Sequence, residues 1–208
     1  MKTVLCFGDS LSWGYNPSNG TRFSFDNRWP GALELELGGQ VRVIEEALNG
    51  RTANSDSPFL PGRNGAEVLD IILETHAPID IFILMLGTND LYRGFNYDAA
   101  YITSACLSLI WKVQKSQSGP GYGVPEILLI APPPLGKLSD FMGLFYSGRE
   151  KLSKELAAQY KKAAKISGVN FLDSSKHVKA SNVDGVHLLP GEHRKLARAV
   201  KKAITPLL

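Results

Sequence analysis

Val4-Leu5-Cys6-Phe7-Gly8-Asp9-Ser10-Leu11 is a short apolar, β-branched and aromatic run that stops at a glycine and delivers a serine straight after it. A run of this kind reads as a buried strand, and a strand that ends in a tight turn is a good place to hold a nucleophile. Four further apolar runs, at residues 41–45, 80–86, 127–131 and 169–172, read the same way. Helical signals fall between them. Residues 29–38 begin with Pro30 in the first turn and stop at Gly38-Gly39. Asn64 is placed to cap a helix whose apolar stripe is Val68, Ile71, Ile72 and Thr75, ended by Pro78. Asp98 caps another that runs to Lys115 on Ile102, Ala105, Cys106, Leu109 and Val113, and amphipathic stretches follow at 149–166 and 190–203. Strands alternating with helices imply an α/β chain with a five-stranded parallel sheet and helices on both faces, because parallel neighbours need crossover connections. At 208 residues and 44% hydrophobic content, the chain is read as one domain, 1–208.

A serine hydroxyl is a weak nucleophile at neutral pH. It needs a base within hydrogen-bond reach, a group that orients the base, and donors for the oxyanion. The chain offers polar residues where strands end: Ser10 after the first run, Gly50 after residues 41–48, and Asn89 in Gly87-Thr88-Asn89-Asp90 after 80–86. Asp184 and His187 sit near the C-terminus in Asp184-Gly185-Val186-His187-Leu188. Each also has a plainer reading. Ser10 could be a turn serine, Gly50 a turn glycine, Asn89 a helix cap and Asp184 an Asp-Gly turn residue. His76, His177 and His193 are read as surface histidines, and Asp9 and Asp90 as residues that hold loops by hydrogen bonds.

Taken in order, Gly8-Asp9-Ser10-Leu11, Gly50, Gly87-Thr88-Asn89-Asp90 and Asp184-x-x-His187 resemble the four sequence blocks of the GDSL, or SGNH, hydrolases. The resemblance covers residues 4 to about 198. Phe7 to Gly14 and Ile44 to Thr52 look like the branch of small bacterial arylesterases, acetylesterases and acyltransferases. What the resemblance implies is a three-layer, flavodoxin-like SGNH-hydrolase fold and a catalytic set of Ser10, Asp184 and His187. It further implies an oxyanion hole built from the Ser10 amide, the Gly50 amide and the Asn89 side chain. Ser10 would attack an ester carbonyl, His187 would carry its proton to the leaving alcohol, and Asp184 would fix the imidazole tautomer. No Gly-x-Ser-x-Gly elbow surrounds Ser10, which sets the chain apart from the α/β-hydrolases. Asp184 and His187 lack a third ligand at a metal-site spacing, so neither metal nor cofactor is expected.

Leu11, Trp13, Val186 and the aromatics of 141–146, Phe145 among them, suggest a small apolar substrate pocket. The long segment 135–148 is read as a wall or lid over the serine. The expected reaction is hydrolysis of short-chain, acetyl-type esters, including aryl esters, with acyl transfer to alcohols or peroxide when the pocket is dry. Carbohydrate acetyl-esterase action, lysophospholipase or thioesterase action, and a catalytically silent binding module are the alternatives. Net charge is +3 with both signs interspersed, an ordinary solvated surface that gives no reason to expect nucleic acid as a partner. Cys6 and Cys106 read as buried hydrophobes, no apolar run reaches the ~18 residues of a membrane span, and a cytoplasmic location is expected. The expected partner is a small-molecule ester, and family resemblance alone suggests a homo-oligomer.

Overall fold

The structure is a computed structural model and describes residues 1–208. At its centre, β1 (Lys2–Gly8), β2 (Val41–Ala47), β3 (Ile81–Met85), β4 (Glu126–Ala131) and β5 (Asn170–Asp173) form one parallel sheet. The spatial order is β2-β1-β3-β4-β5. Successive side chains on a strand point to opposite faces, so each strand feeds two cores. Leu5, Phe7, Phe82, Leu84, Ile127 and Leu129 enter one; Val4, Cys6, Ile81, Ile83, Leu128 and Ile130 enter the other. Between and beyond the strands lie α1 (Ser10–Trp13), α2 (Trp29–Leu37), α3 (Gly65–His76), α4 (Ala99–Lys115), α5 (Asp140–Tyr146), α6 (Glu150–Ser167) and α7 (Pro190–Ile204). Helices α3, α4 and α6 cover the first face, and α2 and α7 cover the second. Burying one such aliphatic side chain is worth about 2 kcal/mol. No helix is long and apolar enough to cross a membrane.

Local chemistry sets the helix starts. The Asn64 side chain accepts from the Ala66 amide at 3.1 Å, and that of Asp98 from the Tyr101 amide at 2.7 Å. In α3 the buried row is Leu69 and Leu73, flanked by the half-buried Val68 and Ile72, whereas Ile71 is 68% exposed and Thr75 also faces solvent. The expected stripe was therefore rotated by part of a turn. Three adjacent i,i+4 rows of this helix carry apolar residues, so periodicity alone could not choose among them. The 135–148 segment holds a short helix, α5, whose first turn is capped by Ser139 accepting from the Met142 amide at 3.3 Å.

The chain leaves β1 for β2 on one side and returns to β3 on the other, so the strand order reverses between β1 and β3. In open α/β sheets a crevice opens outside the carboxyl ends of the strands at such a reversal. Ser10 follows β1, and Asn89 follows β3.

Candidate active site

β1 stops at Gly8 because the chain must pass close to the turn it enters, and a Cβ on Gly8 would overlap the Ser12 side chain. Asp9 then caps α1, its carboxylate accepting from the Leu11 amide at 2.9 Å. Ser10 becomes the first residue of that turn, 6% exposed. His187, on the loop before α7, reaches it: Nε2 lies 2.9 Å from Ser10 Oγ, and Nδ1 lies 2.5 Å from Asp184 Oδ2. The other Asp184 oxygen, Oδ1, accepts from Ser181 Oγ at 3.0 Å and from the amides of Val186 and His187 at 2.9 and 3.0 Å. Burial alone would raise the Asp184 pKa, but the His187 hydrogen bond and charge and these amides outweigh it and hold it at about 2. An ionised carboxylate only accepts, so Nδ1 carries the imidazole proton and Nε2 is left to accept from the Ser10 hydroxyl. The Tyr15 ring packs on the imidazole with centroids 4.3 Å apart.

Gly50 opens the loop after β2 with φ 78, a conformation that glycine adopts without strain, and its amide has no hydrogen-bond partner within the protein. Asn89 Nδ2 donates to the Arg51 carbonyl at 2.9 Å, while its Oδ1 accepts from the Tyr146 hydroxyl at 3.1 Å. Behind these groups lies a buried layer of ionisable residues. Asp90 accepts the Ala53 amide on both oxygens, at 3.0 and 3.1 Å, tying the β2 loop to the β3 loop. Burial pushes the Asp90 carboxyl up to about 7 against the pull of that amide. Burial, with a further push from the Asp90 charge, likewise raises Asp9 to about 7, although the Leu11 amide and Arg51 oppose it. The Arg51 guanidinium sits 4.3 Å above the Phe7 ring and donates to the carbonyls of Gly8 and Glu46 at 3.2 and 2.5 Å. Burial lowers its pKa to about 10. Asp9 and Asp90 thus hold loops.

Ser10, Gly50, Asn89 and His187 all line one cleft of about 450 Å³. Its outer walls are aromatic: Phe59 packs on Tyr92 and Phe145, and Phe141 packs on Phe145, with centroids 4.9 to 5.3 Å apart. No Asp, Glu, Lys or Arg lines it. Phe145 belongs to the lining, but Leu11, Trp13 and Val186 do not. Leu11 turns down into the core under α2 and α7, Val186 packs in the opposite core, and Trp13 lies beneath the Arg22 guanidinium at 5.1 Å. Helical geometry in α1 sends the side chains that follow Ser10 away from the face that presents its hydroxyl. His193 is also not on the surface: it is 1% exposed, accepts the Trp29 amide on Nδ1 at 3.3 Å, and burial with the nearby His187 lowers its pKa to about 3. The sequence reading missed Tyr15, Asn49, Phe59, Tyr92 and Phe95 in the lining. Two aromatics spaced by three within the loop after Asn89 were a usable signal; for Asn49 only its place beside Gly50 was.

The model of the GDSL-like lipase/acylhydrolase family matches residues 6–193. Comparison with the curated proteins finds no match. Among solved structures, an inhibitor-bound M. smegmatis aryl esterase is 37% identical with a TM-score of 0.96, each chain covered over 100% of its length. Est24, a carbohydrate acetylesterase from Sinorhizobium meliloti, is 34% identical with a TM-score of 0.96, again with 100% of both chains covered. A G-D-S-L lipolytic protein from Veillonella parvula, at 16% identity, TM-score 0.72 and 99% coverage of each chain, shares the fold. A family match over most of the chain, together with a serine, histidine and aspartate in hydrogen-bond contact at the carboxyl ends of a shared sheet, leads to one conclusion: the chain belongs to the GDSL-like lipase/acylhydrolase family.

Proposed function

We propose that this protein is a serine carboxylic ester hydrolase that cleaves short-acyl, uncharged esters through an acyl-enzyme. The observation that carries the proposal is the unbroken run from Ser10 Oγ through the His187 ring to Asp184, at 2.9 and 2.5 Å. His187 Nε2 takes the Ser10 proton as Oγ attacks the carbonyl carbon, and returns it to the departing alcohol oxygen. Asp184 keeps the ring in the required tautomer and stabilises the imidazolium. The oxyanion forms beside the Ser10 and Gly50 amides and Asn89 Nδ2, donors already in place before charge develops. Water activated by the same imidazole then releases the acid.

The cleft supports the substrate class. Apolar and aromatic walls without a formal charge suit a neutral acyl or aryl group, and offer no cation for the phosphate of a lysophospholipid or of a coenzyme thioester. Apolar walls of this kind favour acyl transfer to an alcohol over hydrolysis when alcohol is abundant. A second reading, a deacetylase for acetylated sugars, draws support from the exposed faces of Phe59 and Phe141, 54% and 63% accessible at the rim, on which a sugar ring could stack. The test is hydrolysis of p-nitrophenyl esters from acetyl to octanoyl, and of acetylated xylose, by the wild type, Ser10→Ala and His187→Ala. Activity that falls steeply beyond butyryl and disappears in both variants is expected. Turnover retained in Ser10→Ala would refute the serine mechanism, and preference for acetylated xylose would select the second reading.

A further inference from the structure

Tyr146 lies at the end of α5, 8% exposed, where its hydroxyl meets the side chain of Asn89. We propose that Tyr146 is a positioning residue for the oxyanion hole, which holds and polarises the Asn89 carboxamide so that its weakly held second N–H can turn to the reacting carbonyl oxygen. The inference rests on the esterase reading above.

Asn89 has two polar ends and the structure gives each a fixed partner. Nδ2 donates one hydrogen to the Arg51 carbonyl at 2.9 Å, and Oδ1 accepts from the Tyr146 hydroxyl at 3.1 Å. Rotating the amide by half a turn would set Oδ1 against the Arg51 carbonyl, two acceptors facing each other, and so the orientation is determined. The second Nδ2 hydrogen is left with Asp9 Oδ2 at 3.5 Å, a contact too long to hold it strongly. An oxyanion in the cleft, which Asn89 lines together with Ser10 and Gly50, has only this long contact to compete with for that hydrogen. A hydrogen bond accepted at the amide oxygen draws density from the nitrogen and strengthens its N–H as a donor.

Two features keep the hydroxyl in this role. Burial, aided by the charges of Asp9, Asp90 and Asp184, raises the Tyr146 pKa, so the phenol stays protonated and can donate. The wall that carries it is latched to the Asn89 loop at three other points. The Arg93 amide donates to the Phe145 carbonyl at 2.9 Å, and the Arg149 guanidinium donates to the carbonyls of Leu91 and Tyr97 at 3.1 and 2.6 Å. The aromatic wall around Phe145 and the oxyanion donor therefore move as one unit.

The test is steady-state kinetics on p-nitrophenyl acetate with Tyr146→Phe, Asn89→Ala and the double variant, with far-UV circular dichroism to verify the fold. Tyr146→Phe keeps the ring and removes only the hydroxyl. It is expected to lower kcat about fivefold, the size of one neutral hydrogen bond, with KM unchanged. In the Asn89→Ala background the same change is expected to have no effect. A rise in KM with kcat intact, or an equal loss of kcat in both backgrounds, would overturn the inference, because Tyr146 would then act as pocket wall alone. An impaired Asn89→Ala with an unaffected Tyr146→Phe would overturn this inference and spare the esterase reading. An Asn89→Ala enzyme as fast as wild type would remove the oxyanion assignment and the inference together.

Discussion

Replacing Asp184 by Asn tests the proton arrangement directly, because the structure dictates how the new carboxamide must sit. Oδ1 accepts three donors, from Ser181 Oγ and the amides of Val186 and His187, whereas Oδ2 accepts one, from His187 Nδ1. An asparagine will keep its oxygen where the three donors converge, since turning it round would cost several hydrogen bonds at about 1 kcal/mol each and face N–H groups against N–H groups. Its NH₂ then confronts Nδ1, which must accept, and the imidazole proton moves to Nε2. The Ser10 hydroxyl loses its base without any atom of the triad leaving its place. The expected loss in kcat is about ten-thousandfold on p-nitrophenyl acetate, with KM little changed, the magnitude seen when a wrong tautomer is forced on a serine triad. Nitrogen NMR of the histidine ring should show the protonated nitrogen exchanged between wild type and variant. The carboxylate is also a stabilising group: a folded pKa of about 2 against 3.8, at 1.36 kcal/mol per unit, is about 2 kcal/mol. Being a depressed acid, it contributes that stability above about pH 4 and loses it as pH falls toward 2. An Asp184→Asn enzyme within tenfold of wild-type kcat would refute this account of the triad.

Asp90 should behave in the opposite sense. Its folded pKa of about 7 exceeds the unfolded 3.8, so its contribution is fully present below about pH 4 and is lost as pH rises through 7. Asp90→Asn, which keeps an acceptor for the Ala53 amide, is expected to gain about 2 kcal/mol relative to wild type between about pH 5 and about pH 8 in urea unfolding, and a constant difference would contradict the buried neutral carboxyl. Phe145→Ala removes the ring shared by Phe59, Tyr92 and Phe141 at the outer wall. The ratio of kcat/KM for hexanoyl over acetyl esters should rise by about tenfold, as one to two methylenes gain room; an unchanged ratio would move the acyl group away from this wall.

The positions that proved easiest to read were those where chemistry interrupts pattern. Ser10, Gly50 and Asn89 each follow an apolar run within three residues, which marks a strand end, while their roles were legible only through the resemblance to the family blocks; the parallel arrangement followed from the alternation with helices. Asp184 and His187 were legible through the same resemblance, and the structure gives the reason for their spacing: three positions let the carboxylate reach both the imidazole and the amides of Val186 and His187. Pocket walls had no such signature. Leu11 and Trp13 are neighbours of the nucleophile in the chain and point elsewhere, while Phe59 is 49 positions away and faces the cleft. Sequence adjacency constrains direction only through the element that intervenes, and a four-residue turn such as α1 reverses direction within a few bonds.

In the buried layer of Asp9, Asp90 and Arg51 the two carboxyl residues were legible as loop holders and the arginine was not, and the placement of all three accounts for the geometry in front of them. Each of the three strand-end loops carries one cleft-lining residue and one buried anchor in adjacent positions: Asp9 with Ser10, Arg51 with Gly50, Asp90 with Asn89. The anchors act across loops, since Asp90 holds the amide of Ala53, Arg51 holds the carbonyls of Gly8 and Glu46, and Asn89 itself holds the carbonyl of Arg51. Three loops that could each shift alone are thereby fixed to one another by polar groups whose loss would leave buried partners unsatisfied, a penalty of about 1–3 kcal/mol for each group. An oxyanion site stabilises charge only to the extent that its donors need no rearrangement when the charge appears. On this reasoning the block residues that touch no substrate contribute to catalysis by removing the freedom of those that do.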